Sequence, residues 1–286
     1  MVIQEINIEN KLYPKQLTKI DNPPKKLYVL GNLELLNTDS ISIVGSRLCT
    51  SYGASIARTF SRELAKKGIT IVSGMAKGID SNAHLGAIEA NGKTIAVLGS
   101  GFNHIYPNKM VYEEILKSGG TVITEYSEDT EVSPQGFRDR NRIVAGLSLG
   151  TLVIEAKQKS GTGITANYVK RYKRKLFCIP HSIEDEAGIG TNRLLKKGAI
   201  LVTEVKDILK YFENIYDEDI KEKFIIEVPE KYRKIYKEIE KQELTAEEIS
   251  KKVKMNISEV NTILTIMELE DYIQSLPGNY FKIKRC

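Results

Sequence analysis

Three short apolar runs, each breaking into glycines and small hydroxyl residues, constrain this chain more than any other feature. They are Ile41–Val44 before Gly45, Ser46 and Arg47; Ile69–Val72 before Ser73, Gly74, Met75, Ala76, Lys77 and Gly78; and Thr94–Leu98 before Gly99, Ser100 and Gly101. Segments with helical spacing lie between them, so the order strand, loop, helix occurs three times. That order predicts parallel strands joined by right-handed crossovers, with all three loops at one carboxyl edge of the sheet. Glycine lets backbone approach a ligand, serine adds a donor, and each following helix starts with unpaired N–H groups and a positive dipole end. Such an edge suits phosphate.

The same pattern continues down the chain. Helices are expected over about 51–67, with Ile56, Phe60 and Leu64 on one face, from Gly78-Ile79-Asp80 to Gly92 with Asp80 as N-cap, and over about 109–118. Thr121–Thr124 reads as a fourth strand, 125–136 as a loop, and 137–148 as a segment on which, if helical, Arg138 and Arg142 share a face while Arg140 points elsewhere. Strands Thr151–Ile154, Leu176–Ile179 and Ala199–Val202 follow, with a helix opened by Ser160–Gly163 between the first two. Residues 1–40 read as a lead-in, in which Leu27–Leu30 is an edge strand or a clasp on the sheet, and the sheet domain runs over 41–213. The first domain is therefore α/β, an extended, mostly parallel sheet with helices on both faces.

Residues 214–230 form a charged linker. Beyond it, helical segments at 231–241, 245–253 and 258–271, with Thr245 and Ser258 as N-caps, precede a hairpin around Pro277-Gly278-Asn279. Three helices and a hairpin over 231–286 make a winged helix domain. Its reading helix would be 258–271, which carries Glu259, Glu268, Glu270 and Asp271 and no basic residue. A major-groove helix meets walls of phosphate, so this domain is expected to contact protein, with Lys251, Lys252 and Lys254 as its one basic feature.

Charge supports that division. The chain carries 42 Lys and Arg against 37 Asp and Glu, net +5; residues 217–286 hold 13 against 15, net −2, which leaves +7 on residues 1–216. A polyanion site thus belongs to the first domain. Cys49, Cys178 and Cys286 are scattered and odd in number, as are His84, His104 and His181, so neither a disulfide framework nor a metal site is indicated. No run is long and apolar enough to cross a bilayer, and a cytoplasmic protein is expected.

Several motifs in order carry a resemblance: Ile43–Arg47, Ser73–Asp80, Gly99–Gly101 with Tyr106-Pro107, Arg140–Ser148, Glu155-Ala156 with Ser160-Gly161, and Gly190–Asn192 with Lys197–Ala199. From about Tyr13 to the C-terminus the chain resembles the DNA-processing protein A family (DprA, also called Smf). The resemblance implies an extended Rossmann-like domain that binds single-stranded DNA, forms a homodimer through about Leu194–Val202, and helps load RecA recombinase onto incoming DNA in natural transformation. It implies no cofactor. The chain departs from the family where Arg138 follows Phe137, at Pro180-His181, at Asn103 and at Met110.

The expected chemistry is binding rather than catalysis. Backbone and hydroxyl donors of the three loops and of Ser160, Gly161 and Thr162 would hold phosphates, joined by Asn141. Arg47, Arg140 and Arg142 offer planar forks, Lys109 stands just past the third loop, and Phe137 offers a face to bases. The rival reading is a nucleotide-cleaving phosphoribohydrolase on a similar fold, because Gly150, Thr151 and Glu155 match part of that family's Pro-Gly-Gly-x-Gly-Thr-x-x-Glu stretch. Glu155 then reads as a carboxylate that orients loop N–H groups. A dinucleotide enzyme is excluded by the absence of G-x-G-x-x-G after the first strand.

Overall fold

Short runs rich in valine, isoleucine and threonine make nine strands in the first of two units. They are β1 (Gln4–Asn7), β2 (Lys26–Gly31), β3 (Ser40–Val44), β4 (Thr70–Ser73), β5 (Thr94–Val97), β6 (Thr121–Thr124), β7 (Gly150–Val153), β8 (Lys175–Cys178) and β9 (Ile200–Leu201). The computed structural model describes residues 2–158, 160–213, 229–270 and 272–283. Its units are Met1–Phe212 and Glu213–Cys286. Most of the expected linker, residues 214–228, lies outside the described residues, as do Asp271 and Cys286.

The strands lie in the order β1-β2-β6-β5-β4-β3-β7-β8-β9. From β6 to β9 every neighbouring pair is parallel, whereas β2 runs antiparallel to both β1 and β6. The lead-in is therefore built into the sheet. Its Tyr13, Leu17 and Ile20 also enter the core, and the Tyr13 hydroxyl donates to the Pro24 carbonyl at 2.6 Å.

Helices α1 (Ser51–Lys66), α2 (Ile79–Glu89), α3 (Lys109–Lys117), α4 (Pro134–Leu147), α5 (Thr162–Arg171), α6 (Ile189–Lys196) and α7 (Val205–Glu213) connect or follow the strands. Alternation along β5 sends Ile95 and Val97 to one face, where Val144 of α4 and Ala166 of α5 cover them, and Ala96 to the other, with Ile115 of α3. Each such apolar side chain removed from water stabilises the fold by about 1.5–3 kcal/mol. Close packing of α1 on α2 uses small residues: Ala83 and Ala87 are fully buried, and a side chain on Gly86 would strike the Arg58 backbone.

From β3 the strand order runs outward in both directions, to β4-β5-β6 on one side and β7-β8-β9 on the other. The loops leaving β3 and β7 therefore diverge and open a crevice at the carboxyl edge, where doubly wound sheets bind ligands.

The second unit holds α8 (Arg233–Lys241), β10 (Leu244–Thr245), α9 (Ala246–Val253), α10 (Ile257–Leu269) and the hairpin β11 (Ile273–Leu276) and β12 (Tyr280–Ile283). It is a winged helix built on Tyr232, Ile235, Ile249, Leu264 and Met267. Thr245 and Glu248 form a capping box on α9. Ser258 does not cap α10: it already lies inside the helix, and the Asn256 side chain accepts from its N–H at 2.8 Å.

Candidate nucleic-acid interface

The crevice is a cleft of about 890 Å³. The loop after β3 supplies Gly45, Ser46, Arg47 and Leu48; the loop after β4 supplies Gly74 and Ala76; α4 supplies Phe137, Arg138, Arg140 and Asn141; and the α5 end supplies Ser160, Gly161 and Thr162. Segments far apart in sequence meet here because each is the carboxyl end of a strand or the start of the helix beyond it.

Arg47 is exposed, and its guanidinium lies over the Phe137 ring at 5.0 Å. Phe137 in turn meets Tyr106, with ring centroids 5.9 Å apart and an interplanar angle of 45°. The pair of rings and the exposed Leu48 form an apolar wall beside a fixed cation, a surface suited to a base on one side and a phosphate on the other.

Arg140 does different work. It is buried, and one guanidinium nitrogen donates to the carbonyls of Gly74 and Val97, tying the ends of β4 and β5 together. Burial pulls its pKa down to about 10, against the opposing charge of Asp80. Arg140 thus lines the floor of the cleft as a positioning strut rather than as a free fork. Arg142 turns away altogether, to the Glu125 carboxylate at 2.5 Å, so the cleft is lined by Arg138 and Arg140 rather than by the expected pair Arg138 and Arg142 on one face.

Asp80 is not an N-cap. Gly78 takes that place with φ +78°, a conformation glycine supplies freely, and a side chain there would strike the Ser46 carbonyl. From the first turn of α2, the Asp80 carboxylate accepts from the backbone N–H groups of Gly74 at 3.2 Å and Ala76 at 3.4 Å. Burial pushes its carboxyl above the usual range, opposed by Arg140, by these two amides and by Arg47. Two of the second loop's amides are therefore engaged within the protein.

Glu155 does the same at α1. Fully buried, it accepts from the Thr50 backbone N–H at 3.1 Å and from the Thr50 hydroxyl, beneath a helix whose Gly53 leaves room for the carboxylate. It holds one loop N–H, that of Thr50, and it is not among the residues that line the cleft.

Other expected site residues lie elsewhere. The Ser73 hydroxyl donates to the Ile43 carbonyl, and Met75 is fully buried in the core at φ 56°. The third loop stands outside the cleft because the 125–136 segment folds over it: Gly99 abuts Gly136 of α4, Gly101 abuts the Ser127 and Glu128 carbonyls, and the Ser100 hydroxyl donates to His104. Lys109, the first residue of α3, is exposed and also outside.

Conversely, Leu48, Asp80, Tyr106, Val132, Lys157 and Thr165 line the cleft without having been expected to. Tyr106 belongs to the Tyr-Pro motif, and Thr165 lies one turn into the helix opened by Ser160–Gly163; those were the available signals. The basic cluster ending α5 is tethered: Lys170 to the Lys197 carbonyl, Arg171 to Asp21, Arg174 to the Gln16 carbonyl, and Lys175 over the Tyr211 ring. Among the described residues no group of His, Cys, Asp and Glu could hold a metal, and no helix is long and apolar enough to cross a membrane.

Comparison with known proteins gives the family. Protein Smf of Escherichia coli is 34% identical over 98% of this chain and 78% of its own length. DNA processing protein DprA of Streptococcus pneumoniae is 39% identical over 72% of this chain and 73% of its own. The crystal structure of the Streptococcus pneumoniae protein superposes with a TM-score of 0.68 at 37% identity, covering 73% of this chain and 74% of that one. DNA processing protein A from Helicobacter pylori, whose structure describes its single-stranded DNA binding mode, gives 0.67 at 34%, covering 74% and 97%. Residues 226–279 match the DprA winged helix domain. Residues 4–213 match DNA recombination-mediator protein A, and the chain belongs to that family.

Proposed function

We propose that this protein binds single-stranded DNA through the cleft at the carboxyl edge of its first unit, without sequence preference and without catalysis. One observation carries the reading: the described lining holds Arg47, Arg138, Arg140 and Lys157 against a single carboxylate, Asp80, which is itself bound to loop amides. Cations with an adjacent aromatic wall match one strand, whose phosphates and unstacked bases are both accessible; a duplex hides its base faces. A nucleotide-cleaving reading needs a carboxylate free to act on the sugar, and Glu155 is committed to Thr50 instead.

As a recombination mediator, the protein would protect incoming strands in the cytoplasm and pass them to RecA recombinase during transformation, acting as a homodimer. Leu201, 53% exposed on the edge strand β9, supports an interface there. A salt series of binding to single-stranded and duplex oligonucleotides tests the central claim. Tighter single-strand binding, with log affinity falling linearly in log salt, is expected; equal affinity for duplex at moderate salt would overturn it.

A further inference from the structure

At the amino ends of the parallel strands, opposite the cleft, the chain gathers cations that the proposed strand site does not use. Helices α5 and α6 feed β8 and β9, which run parallel, so both helices end at this amino edge. Lys170 and Arg171 lie in the last turn of α5, and Arg193 and Lys196 in that of α6. Lys173, Lys175 and Lys197 follow, and every one of these residues is exposed.

Contacts between the segments make the charges one patch. The Lys170 ammonium donates to the Lys197 carbonyl at 3.1 Å, joining the two helix ends. Arg174 donates to the Gln16 carbonyl at 3.1 Å, which also takes the Lys19 N–H at 3.3 Å, so the exposed Lys19 borders the patch from the lead-in. Two helix dipoles account for part of this charge, since each C-terminal end carries about half a negative charge. The Asp21 carboxylate set against it is taken by Arg171. A surplus is left facing water: among the described residues no hydrogen bond or ion pair holds the side chains of Lys173, Arg193, Lys196 or Lys197. Like charges gathered in this way repel one another, and a polyanion relieves the repulsion.

What the patch lacks decides which polyanion. Its aromatic rings are engaged: Tyr168 and Tyr172 stack on each other with centroids 5.8 Å apart and pack against the core, while Tyr211 meets the Phe177 ring at 5.3 Å and the Lys175 ammonium at 5.2 Å. The cleft offers cations beside an open aromatic wall, whereas the amino edge offers cations without a stacking face. A single strand gains from stacking; a duplex hides its base faces and presents one negative charge for about every 1.7 Å of its axis. We infer that the amino edge of the sheet binds the phosphate backbone of duplex DNA, at a site separate from the cleft. The inference goes beyond the single-strand reading and does not depend on it. With both sites filled, the protein holds a single strand at one edge of its sheet and a duplex at the other.

The test uses the full chain and a labelled blunt duplex of mixed sequence at low salt, with and without saturating oligothymidylate to fill the cleft. Duplex binding, weaker than that of the single strand, should survive the competitor and persist in Arg47→Ala. Lys173→Gln with Lys196→Gln and Lys197→Gln should lessen the slope of log duplex affinity against log salt by about 2.7, some 0.9 for each phosphate contact. The oligothymidylate slope and the unfolding midpoint should stay the same, because these side chains make no internal bonds. Displacement of the duplex by oligothymidylate, an unchanged duplex slope, or an equal loss of slope for the single strand would overturn the inference. So would the absence of duplex binding at low salt, which would give the patch to an acidic protein partner instead. If oligothymidylate fails to bind while the duplex slope falls as expected, the single-strand reading fails and the amino-edge site stands.

Discussion

The buried carboxylate of Glu155 accepts a hydrogen bond from the Thr50 backbone N–H, 3.1 Å away, with the Thr50 hydroxyl on its other oxygen. The N-cap of α1 is thereby held from within, its hydroxyl accepting in turn from the Gly53 N–H at 3.0 Å. Glu155→Gln removes the charge and sets an amide against a donor, so unfolding free energy should fall by about 1.5–3 kcal/mol. Affinity for single-stranded DNA, corrected for the folded fraction, should stay the same. Urea titrations and fluorescence anisotropy measure the two. Base release from nucleoside monophosphates by the native protein, abolished in this variant, would instead establish the nucleotide-cleaving reading.

Two arginines close in the sequence-level expectation should separate by experiment. Arg47→Ala removes an exposed cation over Phe137, so single-strand affinity should drop and the slope of log affinity against log salt should lessen by about 0.7, one phosphate contact. Arg142→Ala breaks a largely buried pair with Glu125 and should cost about 3–5 kcal/mol of stability, with the salt slope of the folded protein unchanged. A changed slope in the second variant would return Arg142 to the interface.

His84 sets a pH dependence. It is fully buried, its Nδ1 lies 2.6 Å from the Thr94 hydroxyl, and burial, aided by Arg140, depresses its pKa from 6.5 to about 3. A depressed folded-state pKa leaves stability intact above the unfolded value and removes it as pH falls from 6.5 towards 3. Between pH 7 and pH 5 the loss from this group should be about 2 kcal/mol, from about 1.4 kcal/mol per unit. Denaturation of His84→Asn at the two pH values should lack that increment, whatever its absolute stability.

Leu201 stands out on a two-residue edge strand, while Leu194 and Leu195 pack partly against the core. Leu201→Glu should therefore leave the fold intact and shift sedimentation from dimer to monomer. A dimer of unchanged stability would place the interface elsewhere.

The winged helix should contribute little to strand affinity. Lys251 and Lys252 are exposed on α9, and Glu259 is exposed on α10, where a reading helix would meet phosphate. Lys251→Glu with Lys252→Glu should alter single-strand binding by less than about twofold, because exposed charges are screened by salt. A loss comparable to that of Arg47→Ala would refute this.

The parallel run of strands and the placing of Gly45, Arg47, Gly74 and Phe137 at one edge were legible in the sequence, because apolar runs ending in glycine have a period and a direction; the order of the strands in the sheet was not. What the pattern could not carry was the use of each donor. Ser73, Met75 and Gly99 share the signature of ligand loops, yet they serve packing, since a glycine or serine that meets a carbonyl looks the same in sequence as one that meets a phosphate. Arg140 and Arg142 were likewise readable as cations but not as buried ones: their partners, the Gly74 and Val97 carbonyls and Glu125, are brought up by the sheet. In the lead-in, Leu27–Leu30 was legible as a strand on the sheet, but β1 and the inner place it gives β2 were not, because both strands enter antiparallel, outside the repeating order that defines the rest.

The carboxyl group beneath α1 also sets this helix apart from the one a dinucleotide site uses. Dinucleotides place two linked phosphates at the helix that follows the first parallel strand, relying on its bare amides and dipole. Here the helix after β3 is capped by Thr50, whose backbone N–H and hydroxyl both go to the fully buried Glu155 carboxyl group. The cleft draws on the same β3 loop at Gly45, Ser46, Arg47 and Leu48, ahead of the start of α1.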